Sequence, residues 1–167
     1  MAADPDTAGT AAPALAGAIR RLSGGTLEPI EVAGPAAVLI ANLRTGPLWG
    51  SRPDPAVVLD HLSGVDPDPP AADWDVGHFV ELATLVRGPA AALVVVRDTY
   101  QELGLAGHHV QPPDRVAAAL RRDDGCQGGV LAVCATAAAD DLRGRLRGAG
   151  LELGGWDNGT PAATARR

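Results

Sequence analysis

Runs of apolar residues divide the chain into short segments with strand-like or helix-like spacing. The continuous apolar run AAVLIANL (residues 36–43) is typical of a central β-strand, and GGVLAVCAT (residues 128–136) predicts a second buried strand. WDVGHFVELATLV and AALVVVRDTY are separated by RGPA, a pattern that predicts a β-hairpin. The polar segment QELGLAGHHVQ (residues 101–111) is predicted to be a loop.

Helix signals alternate with these strands. They occur in TAAPALAGAIRRL, DPAVVLDHLSG, PPDRVAAALRR and AAADDLRGRLRGAG. In the second of these, Asp54 is a good N-cap, Pro55 suits the first helical position and Gly64 suits the end. Because helices are few and strands are mostly joined locally, we expect an α+β fold with a mainly antiparallel sheet. We expect one domain over residues 10–154, between a disordered stretch (1–9) and a tail (155–167).

Charge narrows the class of partner. The net charge is −6, all 14 basic residues are arginine, and no basic cluster occurs, so we expect neither nucleic-acid nor membrane binding.

The start of the chain lacks the pattern of a secretory signal, and no apolar run is long enough to span a bilayer, so we expect a cytoplasmic protein. Cys126 and Cys134 lack zinc-site spacing; His108 and His109 with Asp114 could bind a metal, but adjacent side chains diverge and a further ligand is not evident. We therefore expect no metal or other cofactor.

His78 and Asp98 are the strongest candidates for chemistry. They lie at equal distances along the chain from Gly88, near the centre of the predicted hairpin. Antiparallel pairing about that centre places them opposite each other on one face, with Cβ atoms roughly 5 Å apart. A carboxylate so placed can orient an imidazole that acts as a general base. The alternative is a packed structural histidine, with the aspartate merely opening a turn.

The ordered segments GHFVELATLVRGPAAALVVVRDTYQELG, VQPPDRVAAALRR and GGVLAV resemble the C-terminal half of papain-like cysteine peptidases. They are most similar to the peptidases that process bacteriocin leaders. LWGSRP, DWDVGHFV and HVQPPDRVAAALRR also resemble an uncharacterised actinobacterial family. The resemblance covers residues 10–133. It implies a papain-like fold, His78 as catalytic base with Asp98 orienting it, and a peptide or protein substrate.

One departure from the family bears on activity. The family's nucleophilic cysteine opens a helix upstream of these segments, but no cysteine precedes His78 here. We therefore expect an incomplete or degenerate cysteine hydrolase that lacks its nucleophile helix, is inactive alone, and has an open groove beside His78. Two alternatives remain: a non-catalytic module of the same fold that binds a peptide or partner, and an unrelated α+β binding domain with a structural histidine.

Four further residues are weaker site candidates. Cys126, in the glycine-rich segment DDGCQGGV, is an alternative nucleophile, although the two aspartates before it disfavour a thiolate. Trp49 and Trp156 stand in glycine-rich segments and could line a ligand cleft or simply cover the sheet edge. Asn42, at the end of an apolar run, could supply a polar group to a site or could cap backbone groups.

Overall fold

The computed structural model describes residues 28–29, 38–122, 125 and 127–154. The strands are β1 (Glu28–Pro29), β2 (Val38–Arg44), β3 (Gly77–Arg87), β4 (Ala92–Arg97), β5 (His108–Gln111) and β6 (Gly129–Val133). The helices are α1 (Pro55–Leu62), α2 (Pro113–Arg121) and α3 (Ala139–Gly148). The strands form one sheet in the order β5-β4-β3-β2-β6, with β1 also beside β3, and every pairing is antiparallel. The predicted α+β class with a mainly antiparallel sheet is confirmed.

Helix α1 forms where its start and stop signals predict. The carboxylate of Asp54 accepts a hydrogen bond from the backbone N–H of Ala56 at 2.8 Å, and Pro55 occupies the first turn. Gly64, two residues past the end of the helix, has φ +84°, a conformation that glycine adopts without strain. The predicted first helix (residues 10–22), the segment 1–9 and the tail 155–167 lie outside the described residues.

The β3–β4 hairpin forms, but its register differs from the predicted one. Glu81 pairs with Arg97, and the register shifts between Leu82 and Thr84. The difference arises at the turn, because Arg87 pairs with Ala92 and the hairpin is therefore centred between residues 89 and 90 and not at Gly88; the β-bulge adds a residue to β3 and moves the later pairs back by one position. Continued by one residue, the ladder places Asp98 opposite the position before Glu81, so His78 is a diagonal neighbour and not the direct partner. Diagonal residues on one face remain within reach of long side chains.

Strand β5 corrects the prediction of a loop over residues 101–111. His108–Gln111 pairs with β4, and only the part before it is irregular. Gln111 is fully buried: its Oε1 accepts the N–H of Trp49 at 2.7 Å and its Nε2 donates to the Trp49 carbonyl at 2.9 Å. A strand of four residues gives too short a pattern to be recognised. This one is stabilised by a side-chain contact with a distant loop.

Two apolar clusters lie on the two faces of the sheet, because neighbouring residues of a strand point to opposite faces. The α2 face carries the larger cluster, which comprises Ala41, Leu43, Leu48, Val80, Val96, Val116 and Ala119. The α1 face carries the smaller cluster, in which Leu62 of α1 packs with Leu93 of β4 and with Trp49. By register, His78 pairs with Leu43 and therefore lies on the α2 face.

Towards β6, the α1 face carries exposed apolar side chains. The partly exposed apolar residues Val38, Phe79, Leu131 and Val133 share this face by register and are 42–54% exposed. Strand β6 pairs only with β2 among the described strands, so it is an edge strand with exposed side chains and not the buried strand that its composition predicts. No helix among the described residues is long and apolar enough to span a membrane.

Candidate functional site

His78 and Asp98 meet on the α2 face, where β3 begins and β4 has just ended. His78 Nε2 lies 3.0 Å from each carboxylate oxygen of Asp98. The Asp98 side chain is only 2% exposed and that of His78 is 13% exposed. The predicted contact is therefore confirmed, although by diagonal placement across the ladder. That the pair is catalytic stays a prediction.

The backbone around Asp98 fixes its carboxylate. Oδ1 accepts the N–H of Tyr100 at 2.8 Å, which closes a local turn of the kind aspartate favours. The N–H of Asp98 donates to the carbonyl of Gly107 at 2.7 Å. Gly107 has φ +78°, and a Cβ there would lie 2.8 Å from the Asp98 carbonyl oxygen, so this close approach requires glycine.

Aromatic rings surround the imidazole of His78. Its ring centroid lies 5.3 Å from that of Trp74 and 5.3 Å from that of Tyr100, and the two aromatic rings are 5.0 Å apart. These rings pack against the imidazole of His78, whereas the exposed apolar surface lies on the α1 face; the open groove expected beside His78 stays a prediction. Nε2 is used by Asp98, and Nδ1 makes no hydrogen bond with the residues that the structure describes.

His109, on β5, approaches the same carboxylate from the other side. Its Nε2 lies 4.0 Å from Asp98 Oδ2, and its Nδ1 lies 3.0 Å from Nε2 of Gln111. Burial lowers the pKa of His109 below its ordinary value, and the negative charge of Asp98 opposes that effect only in part. The sequence alone does not predict that His109 lies near Asp98, because it does not predict β5. The alternation in HHVQ is the one signal that could have placed its ring beside Asp98.

The structure does not bring Asn42 and Trp49 to His78. Asn42 lies on the α1 face and is 1% exposed; its Nδ2 donates to the Gln127 carbonyl and its Oδ1 accepts from Arg122, both at 3.2 Å. Asn42 thus binds a backbone group, as its alternative interpretation predicts. Trp49 is 4% exposed and belongs to the core, although it also lines a small cavity beside His109.

Cys134 is not placed to act as the nucleophile. Cys134 follows Val133, which pairs with Val38 at the end of β2 away from Leu43, the partner of His78. Five residues along a strand span about 17 Å, so the Cys134 thiol is too far from the imidazole to act with it. Cys126 and Trp156 lie outside the described residues. Within the described part of the chain, no group of three or more His, Cys, Asp or Glu side chains is arranged to hold a metal ion.

Comparison with known proteins gives one match. No curated protein matches the chain, and no solved structure matches it. A family of unknown function, DUF6885, matches residues 30–157, a range that includes every strand from β2 onwards, all three helices and the His78–Asp98 pair. This range is well over half of the 167 residues, and the chain therefore belongs to the DUF6885 family.

Proposed function

We propose that this chain is a peptidase-like cysteine hydrolase domain that contributes the general-base half of an acyl-transfer site. The observation that supports it is the pair itself: a nearly buried carboxylate bonded to Nε2 of a histidine whose Nδ1 has no hydrogen-bond partner among the described residues. Asp98 orients the imidazole and stabilises the imidazolium formed on proton uptake. His78 then takes a proton at Nδ1 from a thiol or from water.

The surroundings of the pair suit this role. The backbone N–H of Tyr100 holds the carboxylate, and the rings of Trp74 and Tyr100 hold the imidazole from its sides. A base held in this way needs little reorganisation when it accepts a proton, and positioned bases contribute roughly 10²–10⁴-fold to a rate. The proposed substrate is an amide or ester of a peptide or protein.

The nucleophile is the part that the described residues do not provide. The first test therefore supplies it from outside: acyl transfer from an activated thioester or aryl ester to a small added thiol is measured with the full chain. The proposal predicts a rate that rises linearly with thiol concentration and falls roughly 10²-fold in His78→Gln. His61→Gln is the matched control, since His61 bonds the Ala92 carbonyl on the other side of the sheet and should leave the rate unchanged. Equal rates in folded wild type and His78→Gln would refute the proposal.

The second test concerns Cys126. Without added thiol, the chain is expected to show no thiol-dependent hydrolysis of peptides or esters. Turnover that is present in wild type and abolished by Cys126→Ala would identify Cys126 as the nucleophile, whereas Cys134→Ala serves as the control because Cys134 follows the far end of β6. In that case the site is complete within one chain, and the expectation of inactivity is wrong.

The exposed apolar surface supports a second candidate, a non-catalytic module that binds a partner. Val38, Phe79, Leu131 and Val133 are large apolar side chains on one face beside an edge strand, and contiguous surfaces of this kind often mark interaction sites. This candidate predicts that Leu131→Lys weakens self-association or partner binding in sedimentation experiments, while His78→Gln has no effect on it. The hydrolase proposal predicts that, in the acyl-transfer assay, His78→Gln lowers the rate and Leu131→Lys has no effect.

A further inference from the structure

Gln111 fixes the hydrogen position on His109. Its Oε1 accepts the N–H of Trp49 and its Nε2 donates to the Trp49 carbonyl, so the amide cannot be reversed without pairing donor with donor. The second N–H of the same amide points to His109 Nδ1 at 3.0 Å. Nδ1 is therefore an acceptor, and the neutral imidazole carries its hydrogen on Nε2.

That Nε2–H has no hydrogen-bond partner among the residues that the structure describes. His109 Nε2 is buried without a hydrogen-bond partner, and the side chain is 5% exposed. Asp98 Oδ2 is 4.0 Å away from it, which is too far for a direct hydrogen bond. Buried N–H groups are almost always paired, because an unpaired one loses its bond to water without replacement.

A small cavity lies at this point. It has a volume of about 10 Å³, about the space of one water molecule, and the polar residues Thr45, Asp73, Asp98 and His109 are among those that line it. We propose that this cavity binds a single water molecule, which accepts from His109 Nε2–H and donates to Asp98 Oδ2. His109 is thereby a positioning residue for the His78–Asp98 pair. Only its catalytic importance rests on the proposed function; the water site rests on the geometry alone.

The bridge gives Asp98 a third donor. Its carboxylate accepts from His78, from the N–H of Tyr100 and, through the water, from His109. Oδ2 then accepts from both His78 and the water, so the water weakens the hydrogen bond of His78 to that oxygen. The water also holds the carboxylate on the side that faces His109. Burial is the largest influence on the pKa of His109 and lowers it; Asp98 and Asp73 raise that pKa, whereas His78 and His108 lower it further, so the pKa lies below its ordinary value.

The test is histidine NMR on the ¹⁵N-labelled full chain. In wild type, long-range ¹H–¹⁵N spectra should show His109 protonated at Nε2 only, and that hydrogen should exchange slowly and give a dipolar contact to a long-lived water. His109→Leu removes the donor, so the Nε2–H resonance of His78 should shift downfield as its bond to Asp98 strengthens. His109→Gln places an amide near the former Nε2 and should keep the wild-type resonance. His108→Gln, at an exposed neighbouring residue, is the control and should change neither signal.

Each alternative outcome overturns the inference. His109 protonated at Nδ1, an Nε2–H without a water contact, or an unshifted His78 resonance in folded His109→Leu would show that no water links the two residues. The first two measurements use wild type, so they decide the question even if His109→Leu fails to fold. None of them requires turnover. A negative acyl-transfer assay therefore refutes the hydrolase proposal and does not affect the water site. A missing water contact refutes the water site and does not affect the hydrolase proposal.

Discussion

Replacing Asp98 by asparagine changes the charge of the site while nearly preserving its shape. The asparagine Oδ1 can still accept the Tyr100 N–H, which directs the new NH₂ group at His78 Nε2. Nε2 must then accept, so the imidazole hydrogen moves to Nδ1. The lone pair that the proposed base needs is thereby lost, and acyl transfer to added thiol should fall by roughly 10²-fold or more.

The stability cost follows from the same contacts. Asp98 accepts two charge-assisted hydrogen bonds in a buried position, and each becomes a neutral one in Asp98→Asn. Since charge-assisted bonds exceed neutral ones by about 1 kcal/mol each, the free energy of unfolding should drop by about 1–2 kcal/mol. Asp98→Ala leaves both donors unpaired as well, so we expect a drop of about 3 kcal/mol or more.

Urea unfolding at pH 7 measures these costs, and ¹⁵N shifts of His78 report the position of its hydrogen. Asp140→Asn is the matched control: its side chain is 99% exposed on α3, and its free energy of unfolding should stay within about 0.5 kcal/mol of wild type. The reasoning fails if Asp98→Asn is as stable as Asp140→Asn, or if His78 still carries its hydrogen on Nε2 in the folded variant.

Three further predictions concern pH and packing. Burial lowers the pKa of His109, so below about pH 6.5 the unfolded chain binds a proton at this residue that the folded chain does not bind. The free energy of unfolding should therefore fall as the pH drops from 7 to 5, by at most about 1.4 kcal/mol per pH unit from this residue. Urea titrations of His109→Gln should show a weaker dependence of stability on pH. Gly128→Ala should lower the free energy of unfolding by about 2 kcal/mol or more, because its Cβ would lie 2.0 Å from a backbone carbonyl oxygen of α2. The Cβ of Gly144→Ala, in α3, would meet no atom within 4 Å, so this variant should raise local helix stability measured by hydrogen exchange. Equal effects of the two substitutions would contradict this packing. Leu43→Ala, at a fully buried position, should lower the melting temperature with a cost of about 3 kcal/mol, and Leu131→Ala, at a 54% exposed position, should cost less than about 1 kcal/mol; a reversed order would place β6 inside the core.

The elements with strong local signals could be predicted from the sequence. The cap at Asp54, the hairpin and helix α2 all follow from nearby residues, and so does the meeting of His78 with Asp98. The exact register could not be predicted, because the turn is centred between residues 89 and 90 and not at Gly88, and because the bulge after Leu82 has no glycine or proline to mark it.

The remaining misses have a common cause in tertiary contacts. Strand β5 depends on Gln111 bonding a loop 62 residues away, and only that pairing brings His109 to Asp98. The composition of β6 likewise predicted a buried strand, because GVLAV is as apolar as a central strand. Burial depends on the neighbouring strands, however, and among the described residues β6 has β2 as its single neighbour. The periodicity of the sequence thus predicted the secondary-structure elements. The order of the strands in the sheet determined which residues meet at the candidate site.

Strand alternation separates the two candidate activities of this chain. His78 and Phe79 are adjacent in sequence and therefore point to opposite faces of β3, one into the His–Asp site and the other into the exposed apolar surface. A substitution at either position can thus affect one face while the backbone ladder is kept. His78→Gln and Leu131→Lys, assayed for both acyl transfer and association, form a two-by-two design. If either substitution changed both properties in a folded chain, the two faces would be coupled through the sheet and neither could be assigned a function independently of the other.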